Sequence, residues 1–217
     1  MSNAGERKQA AMAAVAKYIR GTSKQVDVAL VEAQVPSRSK VTPPRLRFDR
    51  VVLRVFERLR TALRGEVPSG VTVVVTITAP IRVPGKTITA TEERIRALLG
   101  KRATRGRLTE TICGNEVRIQ VIRGRKTPTS ALVGFVHNRD ADTAVLFDLT
   151  QALLKSVESA SRIRKGAPGA RRLAIAMEDE PLWTQTYRHV CDQLFVQTDF
   201  ERIYLVDSQG RLESITP

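Results

Sequence analysis

Cysteine, histidine and aromatic side chains are scarce in this chain of 217 residues: two Cys, two His, and 5% Phe, Trp and Tyr combined. Cys113 and Cys191 cannot make a disulfide framework, and no Cys-x-x-Cys pair exists for a structural zinc site. His189 and Cys191 stand two apart on an expected helix and so do not face together. The longest apolar run, VTVVVTITAPI, is interrupted by threonines and a proline and falls short of a membrane span. No charged start leads into an apolar signal core. Reduced thiols and these absences predict a cytoplasmic protein with no membrane association. No nucleophile elbow marks a hydrolase. Aromatics do not interleave with the basic runs, so stacking on single-stranded bases is less supported than contact with a phosphate backbone.

Positive charge is what the chain has in excess. Lys and Arg number 36 against 22 Asp and Glu, for a formal charge of +14. Residues 1–66 carry +8 and residues 67–130 carry +8, whereas residues 131–217 carry −2. Arginine accounts for 27 of the cations and lysine for 9. Arginine grips phosphate in a bidentate manner and stacks on bases. An arginine-rich composition also supplies ordinary solvated cations, which is the plainer account.

Apolar periodicity predicts a mixed α/β fold: a largely parallel sheet with one antiparallel hairpin and helices on both faces, plus a separate N-terminal helix. Residues 1–41 read as a basic N-terminal helical segment and linker, and 42–217 as one mixed α/β domain. Residues 5–20 suit a helix, and a strand fits around Val28 and Leu30. Thr42 before Pro43 and Pro44 predicts a helix start, with the helix running to about Arg64. Phe48, Val52, Val55, Phe56, Leu59 and Leu63 would face a core. Arg47, Arg50, Arg54 and Arg58 lie on its other faces, as solvated cations or as a second phosphate-contacting surface. Val71–Ile77 and Ala131–Val136 read as strands buried on both sides. A short helix is expected near Glu92–Leu99, with Thr89 and Glu92 at capping-box spacing. Further on come a helix over about 141–165, a strand in RRLAIAM, a helix opened by Pro181 and strands in RIYLVD and LESI.

Two arginine-rich runs flank the expected hairpin: Lys101, Arg102, Arg105 and Arg107 before it, and Arg123, Arg125 and Lys126 after it. Gly114-Asn115 reads as its two-residue turn, with Cys113 opposite Glu116 and Arg107 opposite Ile122. Such a hairpin gathers seven cations at one open end, with Arg118 on its polar face extending the patch. Mutual repulsion there would be relieved by a polyanion. The expected activity is therefore non-enzymatic binding of nucleic acid, DNA included, through the base of the hairpin. An acidic protein is the alternative partner.

Two weaker constellations point to chemistry. Gly85-Lys86-Thr87 follows a buried strand as in a phosphate-binding loop, but Pro80 occupies the place of that pattern's first glycine. Arg82 and Lys86 remain candidate phosphate contacts. His137, Asp140, Glu178 and Asp207 stand at expected strand ends, where parallel α/β sheets bind ligands. They could hold a divalent metal in a phosphate-processing enzyme, although asparagine and aspartate there also cap helices and start turns. No other cofactor is implied. The element order over about residues 43–177 resembles in topology the restriction-endonuclease-like core, whose chemistry needs one acid and then an acid-x-lysine. Glu110 and Glu116-Val117-Arg118 are the nearest counterparts, and arginine in place of lysine implies a non-cutting relative.

Overall fold

The computed structural model describes residues 13, 15, 17, 18, 27–33, 46, 47, 49–100, 106–123, 131–138, 143–163, 171–177, 184–194, 200–206 and 211–215. In chain order they form β1 (Asp27–Ala33), α1 (Arg50–Ala62), β2 (Val71–Thr78), α2 (Pro84–Gly100), β3 (Arg107–Ile112), β4 (Asn115–Arg123) and β5 (Ala131–His137). There follow α3 (Ala144–Ile163), β6 (Arg171–Met177), α4 (Thr184–Leu194), β7 (Arg202–Val206) and β8 (Leu212–Ile215). The class is α/β, as the periodicity predicts. None of the described helices is long and apolar enough to cross a membrane.

The strands do not form one sheet. They form two sheets of four, in the orders β1-β6-β7-β8 and β3-β4-β2-β5. The first has two parallel pairs and one antiparallel pair; the second has two antiparallel pairs and one parallel pair. Two compact units follow: Arg38–Phe147, and Met1–Ser37 together with Asp148–Pro217. The structure thus draws its division elsewhere than between residues 41 and 42. The N-terminal strand β1 is an integral member of a sheet through its pairing with β6, a long-range contact that local periodicity does not carry.

In the Arg38–Phe147 unit, β2 lies between β4 and β5 and is buried along its whole length. Its run of Val, Thr and Ile suits a strand covered on both faces. Val73, Val75 and Ile77 join Val117, Ile119 and Val121 of β4, Leu132 and Val136 of β5, and the apolar stripe of α1. That stripe is Val52, Val55, Phe56 and Leu59, as the 3.6 period requires. Each such side chain contributes about 1.5–3 kcal/mol when fully buried. Gly134 of β5 lets α1 approach the sheet: a Cβ there would stand 2.0 Å from the Phe56 ring. On the opposite face Thr72, Val74, Thr76, Val133, Phe135 and His137 are buried as well.

Two helix starts differ from expectation. The α1 helix begins at Arg50, where the Asp49 carboxylate accepts from the amides of Val51 and Val52. Leu46 instead bridges His137, and the Arg47 amide donates to the Val136 carbonyl at 2.8 Å. Residues 42–45 lie outside the described set. The α2 helix starts at Pro84 rather than near Glu92. Proline suits the first helical position, and Thr89, expected as a cap, sits inside the helix with its hydroxyl donating to the Gly85 carbonyl.

In the second unit, α4 lies in sequence between the parallel strands β6 and β7. Val15, Ala174 and Val206 form part of its core, with Tyr204 and Leu212 packed against them. Cys191 is buried there, and burial pushes its thiol well above the ordinary value, as an inert core cysteine should behave.

Candidate nucleic-acid interface

The hairpin turns at Cys113-Gly114, one residue earlier than the glycine–asparagine pair suggests. Both have positive φ, 50° at Cys113 and 77° at Gly114, the combination that a two-residue hairpin turn of the primed type requires. Ile112 therefore faces Asn115, and Arg107 faces Gln120 rather than Ile122. Every partner shifts by two residues, and since strand side chains alternate, the faces are preserved. Asn115, Val117, Ile119 and Val121 point into the core, and Arg107, Thr109 and Thr111 are exposed.

Asn115 sets this register. Its side chain is buried, its Oδ1 accepts from the Arg82 amide at 2.6 Å, and its Nδ2 lies 2.9 Å from both the Arg82 carbonyl and the Thr87 hydroxyl. The same nitrogen lies 3.0 Å from the Ile112 carbonyl. The carboxamide thus ties the hairpin to the loop before α2 and to that helix's first turn. As a turn residue it would forfeit those bonds.

At the open end, the Val121 amide donates to the Gly106 carbonyl at 2.8 Å, holding the start of β3 against the end of β4. Arg107 and Arg123 are both exposed near that end, and Arg123 stands opposite Val71 at the beginning of β2. Lys101, Arg102, Arg105, Arg125 and Lys126 lie outside the described residues. The Arg107 side chain makes no hydrogen bond or ion pair among the described residues.

Arg82 and Lys86 belong to the other end of the sheet. The Arg82 side chain passes over the turn, its Cδ 3.3 Å from where a Cβ on Gly114 would be, and Lys86 is exposed in the first turn of α2. The length of β2, eight residues or about 23 Å at 3.3 Å per step, separates that end from Arg123. These two cations are therefore not neighbours of the hairpin base.

Arg118 is engaged rather than free. Its Nη2 lies 2.5 Å and its Nε 2.9 Å from Glu116 Oε1, and its Nη1 donates to the Thr143 hydroxyl at 2.6 Å. Arg94 makes a two-bonded pair with Glu110, and Arg96 pairs with Glu66 and Glu92. The hydrogen bonds from these arginines hold the Glu110 and Glu66 carboxyls below their usual range. Glu110 and Glu116 lie on opposite faces of the hairpin, so they do not converge as the acids of a nuclease-like centre would.

His137 is buried at the end of β5, beside Thr78. Its Nδ1–H donates to the Asn138 carbonyl at 2.7 Å, and burial holds the imidazole below its ordinary value. Asp140, Glu178 and Asp207 lie outside the described residues. Among the described residues no group of three or more His, Cys, Asp or Glu could hold a metal ion.

The two units divide the charge unequally. Arg38–Phe147 contains 22 Lys and Arg against 9 Asp and Glu, so it carries +13 of the total +14. On α1, Arg50, Arg54 and Arg58 are exposed and make no ion pair among the described residues. Their four-residue spacing sets them about 6 Å apart along the helix axis. Sequence reasoning missed the Asn115 clamp, because Asn-Gly and Gly-Asn pairs are themselves turn signals. It also missed the meeting of Arg47 with Asn138, 91 positions away, whose Oδ1 accepts from Arg47 Nε at 3.3 Å; no local spacing announces that pair.

Comparison with protein families, curated proteins and solved structures finds no match for this chain.

Proposed function

We propose that this protein binds nucleic acid without catalysis, through phosphate contacts made by the Arg38–Phe147 unit at the open end of the β3–β4 hairpin. The observation that carries the reading is the charge division: nearly the whole positive excess lies in one compact unit. Ion pairs with Glu66, Glu92, Glu110 and Glu116 occupy Arg94, Arg96 and Arg118, which leaves Arg107 and the α1 row without a carboxylate partner among the described residues. The Gly106–Val121 hydrogen bond supports the reading further. It starts both arginine-rich runs from adjacent points, and clustered cations concentrate an anion-attracting field.

Duplex affinity measured as a function of salt tests the proposal. Engagement of about five phosphates gives a log–log slope near −4 to −5. Replacing Arg105, Arg107, Arg123 and Arg125 together with Ala should flatten that slope by about 3 to 4 and cut affinity steeply, with the circular-dichroism spectrum unchanged. Replacing Arg94 and Arg96, already held by carboxylates, should change the slope by less than one unit. Unchanged duplex binding in the fourfold variant rejects the hairpin base as the contact surface. Salt-sensitive binding to an acidic protein but not to duplex or single-stranded nucleic acid would assign the basic face to a protein partner.

A further inference from the structure

A cleft of about 790 Å³ opens beside the ends of β2 and β5, its described lining including Arg47, Asp49, Arg50, Val51, Ile81 and Asn138. Its volume lies within the roughly 300–1,000 Å³ of small-ligand sites. The position is the carboxyl edge of a parallel strand pair, where open α/β sheets place ligands. Apolar residues of α1 and of the loop after β2 contribute its walls. Val51 is 47% exposed, one of the few large hydrophobics left open to solvent among the described residues. An apolar wall and two guanidinium groups therefore share one recess.

The polar groups differ in how committed they are. Asp49 Oδ1 accepts from the amides of Val51 and Val52 at 3.0 and 3.1 Å, so those two donors at the helix start are already used. The Arg47 guanidinium is steered by Asn138, whose Oδ1 accepts from Nε at 3.3 Å. That contact leaves the terminal nitrogens of Arg47 for another acceptor. The Arg50 side chain makes no hydrogen bond or ion pair among the described residues. Among the described lining residues, two arginines and one aspartate sum to one net positive charge. Guanidinium groups favour carboxylate and phosphate oxygens in paired geometry.

We infer that this cleft binds a small organic anion, a carboxylate or phosphate head carried on an apolar body. Arg47 and Arg50 hold the head, and Val51, Ala79, Pro80 and Ile81 receive the body. The site is separate from the hairpin base, which lies toward the opposite end of β2, and it stands whether or not the chain binds nucleic acid.

Calorimetric titration of the full chain with four probes tests the inference: hexanoate, hexyl phosphate, inorganic phosphate and hexylammonium. At least one hexyl anion should bind ten times more tightly than inorganic phosphate and than hexylammonium. The ranking of the two anions tells a carboxylate site from a phosphate site. Arg50→Gln should weaken the preferred anion at least tenfold, whereas Arg107→Gln should leave it unchanged. Val51→Asp provides a second variant that should also fold, since an added carboxylate in the first turn of a helix is favourable there. It should abolish binding by placing a carboxylate in the apolar wall, where it repels the anion and is desolvated by the body. Hexylammonium binding as tightly as the anions, inorganic phosphate matching hexyl phosphate and hexanoate, no binding of any probe, or Val51→Asp binding as the parent does would each overturn the assignment.

Discussion

The Asn115 carboxamide donates to the Thr87 hydroxyl at 2.9 Å, joining the first residue of β4 to the first turn of α2 across 28 positions of sequence. Thr87 in turn donates to the Arg82 carbonyl at 2.8 Å. A hairpin and a helix start are thus locked by one buried polar cluster, and each member satisfies another.

Removing Asn115 should therefore cost more than a surface turn residue would. Asn115→Ala leaves the Arg82 amide and the carbonyls of Arg82 and Ile112 without that partner in a buried setting, a loss of about 2–3 kcal/mol. Urea denaturation should show it as a lower midpoint at constant slope. Asn115→Asp keeps the acceptor but removes the donor and buries a charge, so it should be at least as harmful. A change below about 0.5 kcal/mol for Asn115→Ala would show that the cluster contributes nothing to the register.

Gly134 and Phe56 form the tightest approach of helix to sheet. Gly134→Ala should destabilise by about 1–3 kcal/mol through overpacking, because a Cβ 2.0 Å from the Phe56 ring forces the ring or the helix that carries it to shift. Phe56→Ala alone should cost about 3–5 kcal/mol by opening a cavity. Together the two should cost clearly less than the sum, because the ring that meets the new methyl is gone. A double-mutant cycle showing strict additivity would place the conflict elsewhere.

His137 makes stability depend on acidity in a defined window. Burial lowers its proton affinity; the hydrogen bond to the Asn138 carbonyl opposes that, Arg118 adds to it, and Glu116 opposes it. The unfolded chain takes up this proton near pH 6.5 and the folded chain only at lower pH. The stability associated with neutral His137 is complete above about 6.5 and is lost as pH falls from there toward the folded value. Glu66 and Glu110, held below their usual range, lose their contribution only below about pH 4.3. Urea midpoints at pH 7.5 and 5.5 should thus fall for the parent chain and fall less for His137→Gln. Parallel declines in both proteins would remove His137 as the cause.

Local pattern decided much of this molecule. The β-branched run 71–78 must be a strand, and its lack of alternation already says that both faces are covered. The stripe Val52, Val55, Phe56, Leu59 follows from helical period alone. Faces of the hairpin were legible too, since period two survives a register shift of two residues. The uneven distribution of cations was visible before any coordinates, because charge is additive along a chain.

What tertiary structure alone decided is who stands next to whom. Polar side chains choose partners by long-range geometry, so Asn115 left the turn for Arg82 and Thr87, and the register moved with it. Arg118 was counted as a free cation until folding set it against Glu116 and Thr143. The N-terminal strand β1 joined a sheet by pairing with β6, a contact whose benefit arises only after a long loop closes. Electrostatic and hydrogen-bonding energies depend on distances that composition does not contain, which is why the arginines could be counted from the sequence but only the fold separated the engaged ones from those left to solvent.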